Sequence, residues 1–143
     1  MWYYNKNEFD ETPEEYQGFV YRITEKDTGM KYIGKKFFWK PKVLPKNSKR
    51  KRRVRTRVDS DWRTYFGSSK EVQQLVEEKG EDNYYREILK LCKTKGQCSY
   101  YEMKFQFEYD VLLKPEEYYN AFIGGKIHRK HILGVHDDES VLE

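Results

Sequence analysis

Cysteine is nearly absent from this 143-residue chain: only Cys92 and Cys98 occur. That excludes a disulfide-stapled scaffold and a zinc site built from cysteines alone, which takes about four such ligands, and it predicts reduced thiols. Long apolar runs are missing too, and none approaches the roughly 18–20 residues of a membrane span. The opening Met1-Trp2-Tyr3-Tyr4-Asn5 lacks the charged and then apolar pattern of an export signal. The expectation is a cytoplasmic protein with no membrane partner. What is present in quantity is aromatic: 13 Tyr, 8 Phe and 3 Trp make up 17% of the chain. Disordered chains are poor in aromatics, so these residues predict a folded domain with a tyrosine-rich core, and the length fits one domain.

A second absence is local. Between Lys31 and Arg57 there is no Asp or Glu, against thirteen Lys and Arg. The remainder of the chain holds fifteen basic and twenty-four acidic residues, so a strongly cationic segment sits on an acidic body. Its densest part includes Lys46 and then Lys49, Arg50, Lys51, Arg52, Arg53, Arg55 and Arg57. Such density repels itself unless a polyanion neutralises it, which points to nucleic acid; a solvated loop without a ligand is the plainer alternative.

Along the chain, residues 1–16 read as an aromatic and then acidic leader packed on the domain. Phe19-Val20-Tyr21-Arg22-Ile23-Thr24 and Met30-Lys31-Tyr32-Ile33-Gly34 are β-type runs joined through Asp27-Thr28-Gly29, which predicts an antiparallel hairpin. Pro41 and Pro45 predict a loop through the basic insertion, residues 35–59. Ser68 and Glu71 stand at capping-box spacing before Val72, Leu75 and Val76, with Gly80 as the stop, so a helix is expected there. Tyr84 to Cys92 reads as a third strand. A second helix is expected from Ser99, carrying Tyr100, Met103, Phe107 and Val111 on one stripe and ending before Pro115. The layout is α/β: a small antiparallel sheet of about three strands flanked by helices, with a core at about 17–125 and a polar tail at 126–143.

The hairpin, with Tyr21 in Phe-Val-Tyr and Tyr32 in Tyr-Ile-Gly, resembles that of the GIY-YIG nuclease family. Lys35-Lys36 after the second motif, the segment Ser60-Asp61-Trp62-Arg63-Thr64-Tyr65-Phe66-Gly67-Ser68-Ser69, Glu102 and Asn120 follow in the family's order, from about Gly18 to Ile123. The segment around Trp62 looks like that of phage-borne and restriction-type members. The resemblance implies an endonuclease that hydrolyses a phosphodiester of double-stranded DNA with one Mg²⁺ or Mn²⁺ per site and no organic cofactor. By the motif, Tyr32 would be the base, Tyr21 would position water or phosphate, Glu102 would hold the metal, and Asn120 would contact phosphate or support the site. A phenol with a pKa of about 10 needs cations nearby to act near neutrality, and Lys35 or Lys36 would supply that field. Phe19 stands where the family has glycine. Tyr65 fits the partner of the family's arginine, but the residue four before it is Asp61, so that arginine is either Arg63 or a residue of the run such as Arg57.

Other readings compete. Glu102 lies three after Ser99, the spacing of a helix cap. Trp39 and Trp62 suit core or loop anchors better than base-stacking platforms. His128, His131 and His136 are too sparsely spaced for a convincing metal site. An alternative function is a DNA-binding module that kept the fold without cleavage. The sequence leaves a homodimer open, as it does a homing, restriction or DNA-degrading role; a phage-encoded member would work in the host cytoplasm.

Overall fold

Chain order runs β1 (Trp2–Tyr4), β2 (Asn7–Phe9), β3 (Gly18–Glu25), β4 (Lys31–Phe37), β5 (Trp39–Leu44), β6 (Val54–Asp59), α1 (Lys70–Lys79), β7 (Tyr84–Cys92) and α2 (Lys95–Glu108). This is a computed structural model of the protein, and it describes residues 1–44, 46 and 54–135. Lys49, Arg50, Lys51, Arg52, Arg53 and His136 lie outside the described residues.

β3 and β4 form the expected hairpin, with Tyr21 opposite Gly34, and Gly29 supplies a positive φ of 79° in its turn. The sheet is larger than expected. Its order is β2-β1-β7-β3-β4, five strands with one parallel pairing, β1 on β7. The leader joins the sheet because Trp2 is drawn into the core, with Nε1 donating to the Trp62 carbonyl at 2.7 Å. Asn5 and Lys6, both at positive φ, then turn the chain back as a two-residue hairpin loop. Strands of three residues carry no readable alternation, so nothing in the sequence marks them.

The basic insertion is likewise not a simple loop. β5 and β6 pair antiparallel as a separate two-stranded ribbon. Pro41 is tolerated within it because each strand of such a ribbon has an open edge, where a missing N–H costs no ladder bond.

Both helices begin elsewhere than predicted. Ser69, not Ser68, caps α1, its hydroxyl accepting from the Val72 amide. α2 starts at Lys95 under Thr94 and buries Gln97, Cys98, Tyr101, Phe105 and Gln106, while Phe107 stays 64% exposed. The apolar stripe misplaces this face because two of the buried positions are glutamines. Gln106 Nε2 donates to the Ile33 carbonyl, and Gln97 Nε2 donates to the Leu133 carbonyl.

Alternation along β3 divides the core between the two sheet faces. Phe19, Tyr21 and Ile23 pack with Trp2, Phe38, Trp62 and α1; Val20 packs with Ile33 and the buried side of α2. Phe19 has its ring 4.9 Å from Trp2 and 4.7 Å from Phe38, so the residue at the position where the resemblance expects glycine fills an aromatic core. Trp62 is buried in the same cluster and Trp39 is anchored through Nε1 on the Tyr16 carbonyl, as the anchor reading expects.

Candidate active site

β4 is the edge strand of the large sheet, so the two faces meet along it. An edge strand needs partners for its outward N–H and C=O groups. The segment after α2 supplies them. The Lys31 amide donates to the Glu117 carbonyl, and the Tyr119 amide donates to the Lys31 carbonyl. One step along, the Asn120 side chain takes over: Oδ1 accepts from the Ile33 amide at 3.0 Å and Nδ2 donates to the Ile33 carbonyl at 2.8 Å. A primary amide carries both a donor and an acceptor and so continues the ladder as a strand would. Asn120 therefore braces the backbone between Tyr32 and Gly34.

Around this braced edge lies a cavity of about 340 Å³, lined by Tyr32, Ser68, Lys70, Glu102, Asn120 and Phe122 among others. The Tyr32 hydroxyl shares a 3.1 Å hydrogen bond with Ser68 Oγ. Ser68 is free for this because its neighbour caps the helix. Burial pushes the Tyr32 phenol above its ordinary range, only partly offset by Ser68, and the Glu102 charge adds to the rise. The lysines do not supply the expected field at this hydroxyl. Lys35 Nζ donates to Ser99 Oγ at 2.7 Å and lies 3.8 Å from Glu102. Lys36 Nζ sits 2.6 Å from Asp61 and 4.2 Å above the Tyr65 ring.

Tyr21 is fully buried, with its hydroxyl beside that of Tyr65. Burial first, then the neighbouring Tyr65 and Tyr32 hydroxyls, hold its phenol well above the ordinary value. Gly34 explains how it fits: any side chain there would overlap the Tyr21 hydroxyl lying across β4. A register shift between β3 and β7 falls at Val20/Tyr21, a local irregularity of the kind that re-aims side chains beside sites.

Glu102 lies in the interior of α2, three residues past Ser99, which is itself within the helix, so the cap reading fails. Its side chain is 17% exposed, and burial raises the carboxyl pKa against the opposing pull of Lys35. A carboxylate held out of water at a cavity wall gains from a cation. Mg²⁺ binds through one or two carboxylates while keeping several waters, so the donor set fits it. Among the described residues no group of three His, Cys, Asp or Glu converges as a candidate metal site. The His131 ring accepts from the His128 amide and the His128 ring accepts from the Lys130 amide, a local cap.

The remaining candidates are placed elsewhere. Arg63 binds the Asp10 carbonyl, Asp59 and Thr12 and stacks 4.8 Å over Trp62, anchoring the N-terminal segment. Arg57 stacks 4.0 Å over Trp39 and donates to the Glu14 carbonyl, at the root of the ribbon. Neither lines the cavity, where Lys70 is the cation among the described residues. Tyr65 stands edge-on to Tyr21, with centroids 5.9 Å apart. Ser68, Lys70 and Gln106 join the cavity without having been expected there; the Gly67-Ser68-Ser69 turn before α1 is the signal in the sequence for the first two.

The family model described as "Putative endonuclease segE, GIY-YIG domain" matches residues 2–123. The chain belongs to the GIY-YIG family. The match begins within the leader, so β1 and β2 are part of this GIY-YIG domain. "Putative endonuclease segE" of Enterobacteria phage T4 is 33% identical over 107 residues, covering 75% of this chain and 42% of that protein. The chain thus spans less than half the length of that curated relative. No solved structure matches it.

Proposed function

We propose that this GIY-YIG chain is a metal-assisted endonuclease that hydrolyses phosphodiesters of double-stranded DNA. The observation that carries the reading is the cavity in which the Tyr32 hydroxyl and the desolvated Glu102 carboxylate line one wall system, with Lys70 as the nearby cation. Glu102 would hold Mg²⁺ or Mn²⁺, which when bound supplies positive charge for the developing phosphoryl charge and for acidifying water. Tyr32, in its ionised form, accepts and keeps the proton of the attacking water, with the Ser68 hydroxyl hydrogen-bonded to its oxygen. Tyr21, its hydroxyl beside that of Tyr65, holds the Tyr32–Tyr65 side of the site in position. Asn120 keeps β4, and with it Tyr32, at a fixed height on the cavity wall. The basic insertion, from Lys49, Arg50, Lys51, Arg52 and Arg53 to Arg55, contacts the DNA backbone, while Arg57 anchors its root.

Nicking of supercoiled plasmid tests this. Wild-type protein is expected to nick only with Mg²⁺ or Mn²⁺, and Glu102→Gln to lose nicking by orders of magnitude while still binding DNA without metal. Glu102→Gln that nicks at the wild-type rate would remove Glu102 from the metal site. The second reading, a DNA-binding module without cleavage, draws on the lack of an arginine on the cavity wall among the described residues. It predicts DNA binding with no nicking under any divalent ion.

A further inference from the structure

Past Lys35, on the ribbon side of the cavity, the structure carries a second depression. It is a groove of about 270 Å³ lined by Lys35, Lys36, Phe37, Trp39, Lys40 and Lys95 among others, with no Asp or Glu among the described residues of its lining. Four lysines from three elements converge there: two from β4, one from β5 and one from the start of α2. Lys35 and Lys36 have carboxylate partners in Glu102 and Asp61. Lys40 and Lys95 are exposed and have no ion pair among the described residues; Lys95 Nζ lies 5.4 Å over the Phe37 ring. With Lys40 and Lys95 outside any ion pair of the described residues, the groove keeps positive charge that an anion would neutralise. The groove neighbours the cavity across the Lys35–Glu102 ion pair, which joins a residue of one to a residue of the other.

The geometry points to a subsite for the substrate's own phosphodiester backbone, with Lys40 and Lys95 as its free cations. The inference rests on the endonuclease reading above and assigns the direction in which the cut strand leaves the cavity: along β4 toward the β5–β6 ribbon. Tyr32 and Lys36 are four residues apart on β4, about 13 Å. At an axial rise of about 3.4 Å per nucleotide, and with the backbone contour longer than that rise, the subsite holds a linkage no more than about four nucleotides from the cut. The Phe37 and Trp39 rings beside the lysines suit the apolar faces of the sugars.

The test compares Lys40→Gln/Lys95→Gln with a control of equal charge loss away from the groove, Lys26→Gln/Lys114→Gln. DNA affinity is measured at several salt concentrations without divalent ions. A set of duplexes is used in which a neutral methylphosphonate replaces each linkage around the mapped cut in turn. The groove variant is expected to flatten the salt slope by about one per lysine, with the control unchanged. The methylphosphonate positions on one side of the cut that weaken wild-type binding are expected to lose their effect in the groove variant. If wild-type protein binds and cuts DNA but the groove variant keeps its slope and interference pattern, the subsite is overturned while the endonuclease reading stands. Equal flattening in the control overturns the location. A wild type that neither binds nor nicks DNA overturns the endonuclease reading and this one with it.

Discussion

At the scale of single residues, the proposed function gives Tyr32 a chemical role, while the structure gives Asn120 a supporting one. The Tyr32 phenol is pushed above its usual value by burial, so at neutral pH only a small fraction is ionised. If ionised Tyr32 is the base, the logarithm of the single-turnover rate should climb by about one per pH unit through neutrality. Tyr32→Phe keeps the ring, and is expected to lower the rate by about 10²–10⁴-fold and abolish that slope with little change in thermal stability. Unchanged rate and slope would return Tyr32 to the core. Asn120→Ala makes the opposite pattern. It leaves the buried Ile33 amide without its partner, which costs about 1–3 kcal/mol. Denaturant unfolding should register that loss, and nicking should fall as β4 loses its brace. The residue types of both positions were legible from the motif. That Asn120 acts through the Ile33 backbone was not, because the two lie 87 residues apart.

At the scale of elements, the ribbon separates charge from architecture. Its charge is visible as a run without acids, while its pairing is hidden by Pro41 and by the absence of a hydrophobic face to produce alternation. Arg57 is engaged by Trp39 and the Glu14 carbonyl at the ribbon root. Phosphate contacts are therefore expected further out. Changing Arg50, Arg52, Arg53 and Arg55 together to Gln should flatten the salt dependence of DNA binding by about 0.9 for each phosphate that is no longer neutralised. All sequences should weaken about equally. Base reading by the same arginines would instead relax sequence preference, worth about 1–3 kcal/mol per arginine–guanine pair, with a smaller change in slope. Titration of specific and random duplexes at several salt concentrations distinguishes the two. α2 teaches a similar lesson: Thr94 caps it directly after β7, ahead of the Ser99 that the sequence suggests, and its buried glutamines defeat an apolar-stripe reading.

At the scale of the whole molecule, Glu25 ties the hairpin to distant parts of the chain. It is 1% exposed and accepts from Thr28, from Tyr84 at 2.6 Å and from Tyr119 at 2.9 Å, with Lys79 Nζ at 3.1 Å. Burial raises its pKa, but these partners outweigh burial and hold the carboxyl below its ordinary value. The native state therefore binds fewer protons here than the unfolded chain. The resulting stability is present above an unfolded value of about 4.3 and is lost as pH falls through the lower folded value. Thermal melts from pH 7 to pH 3 should show Glu25→Gln less stable than wild type at neutrality, with the gap closing in acid. A gap that has not narrowed at all by pH 3 would mean that packing, not charge, sets the difference. By itself the sequence determined the β3–β4 hairpin, the presence of α1 and the cationic segment, since each rests on spacing within a few residues or on composition. Tertiary structure decided that the leader joins the sheet, that Ser68 serves Tyr32 while Ser69 caps the helix, that Arg63 anchors the N-terminal segment, and that Lys35 faces Glu102. Those pairings span up to tens of residues, and their free energy comes from burial and mutual hydrogen-bond satisfaction that no local window of sequence contains.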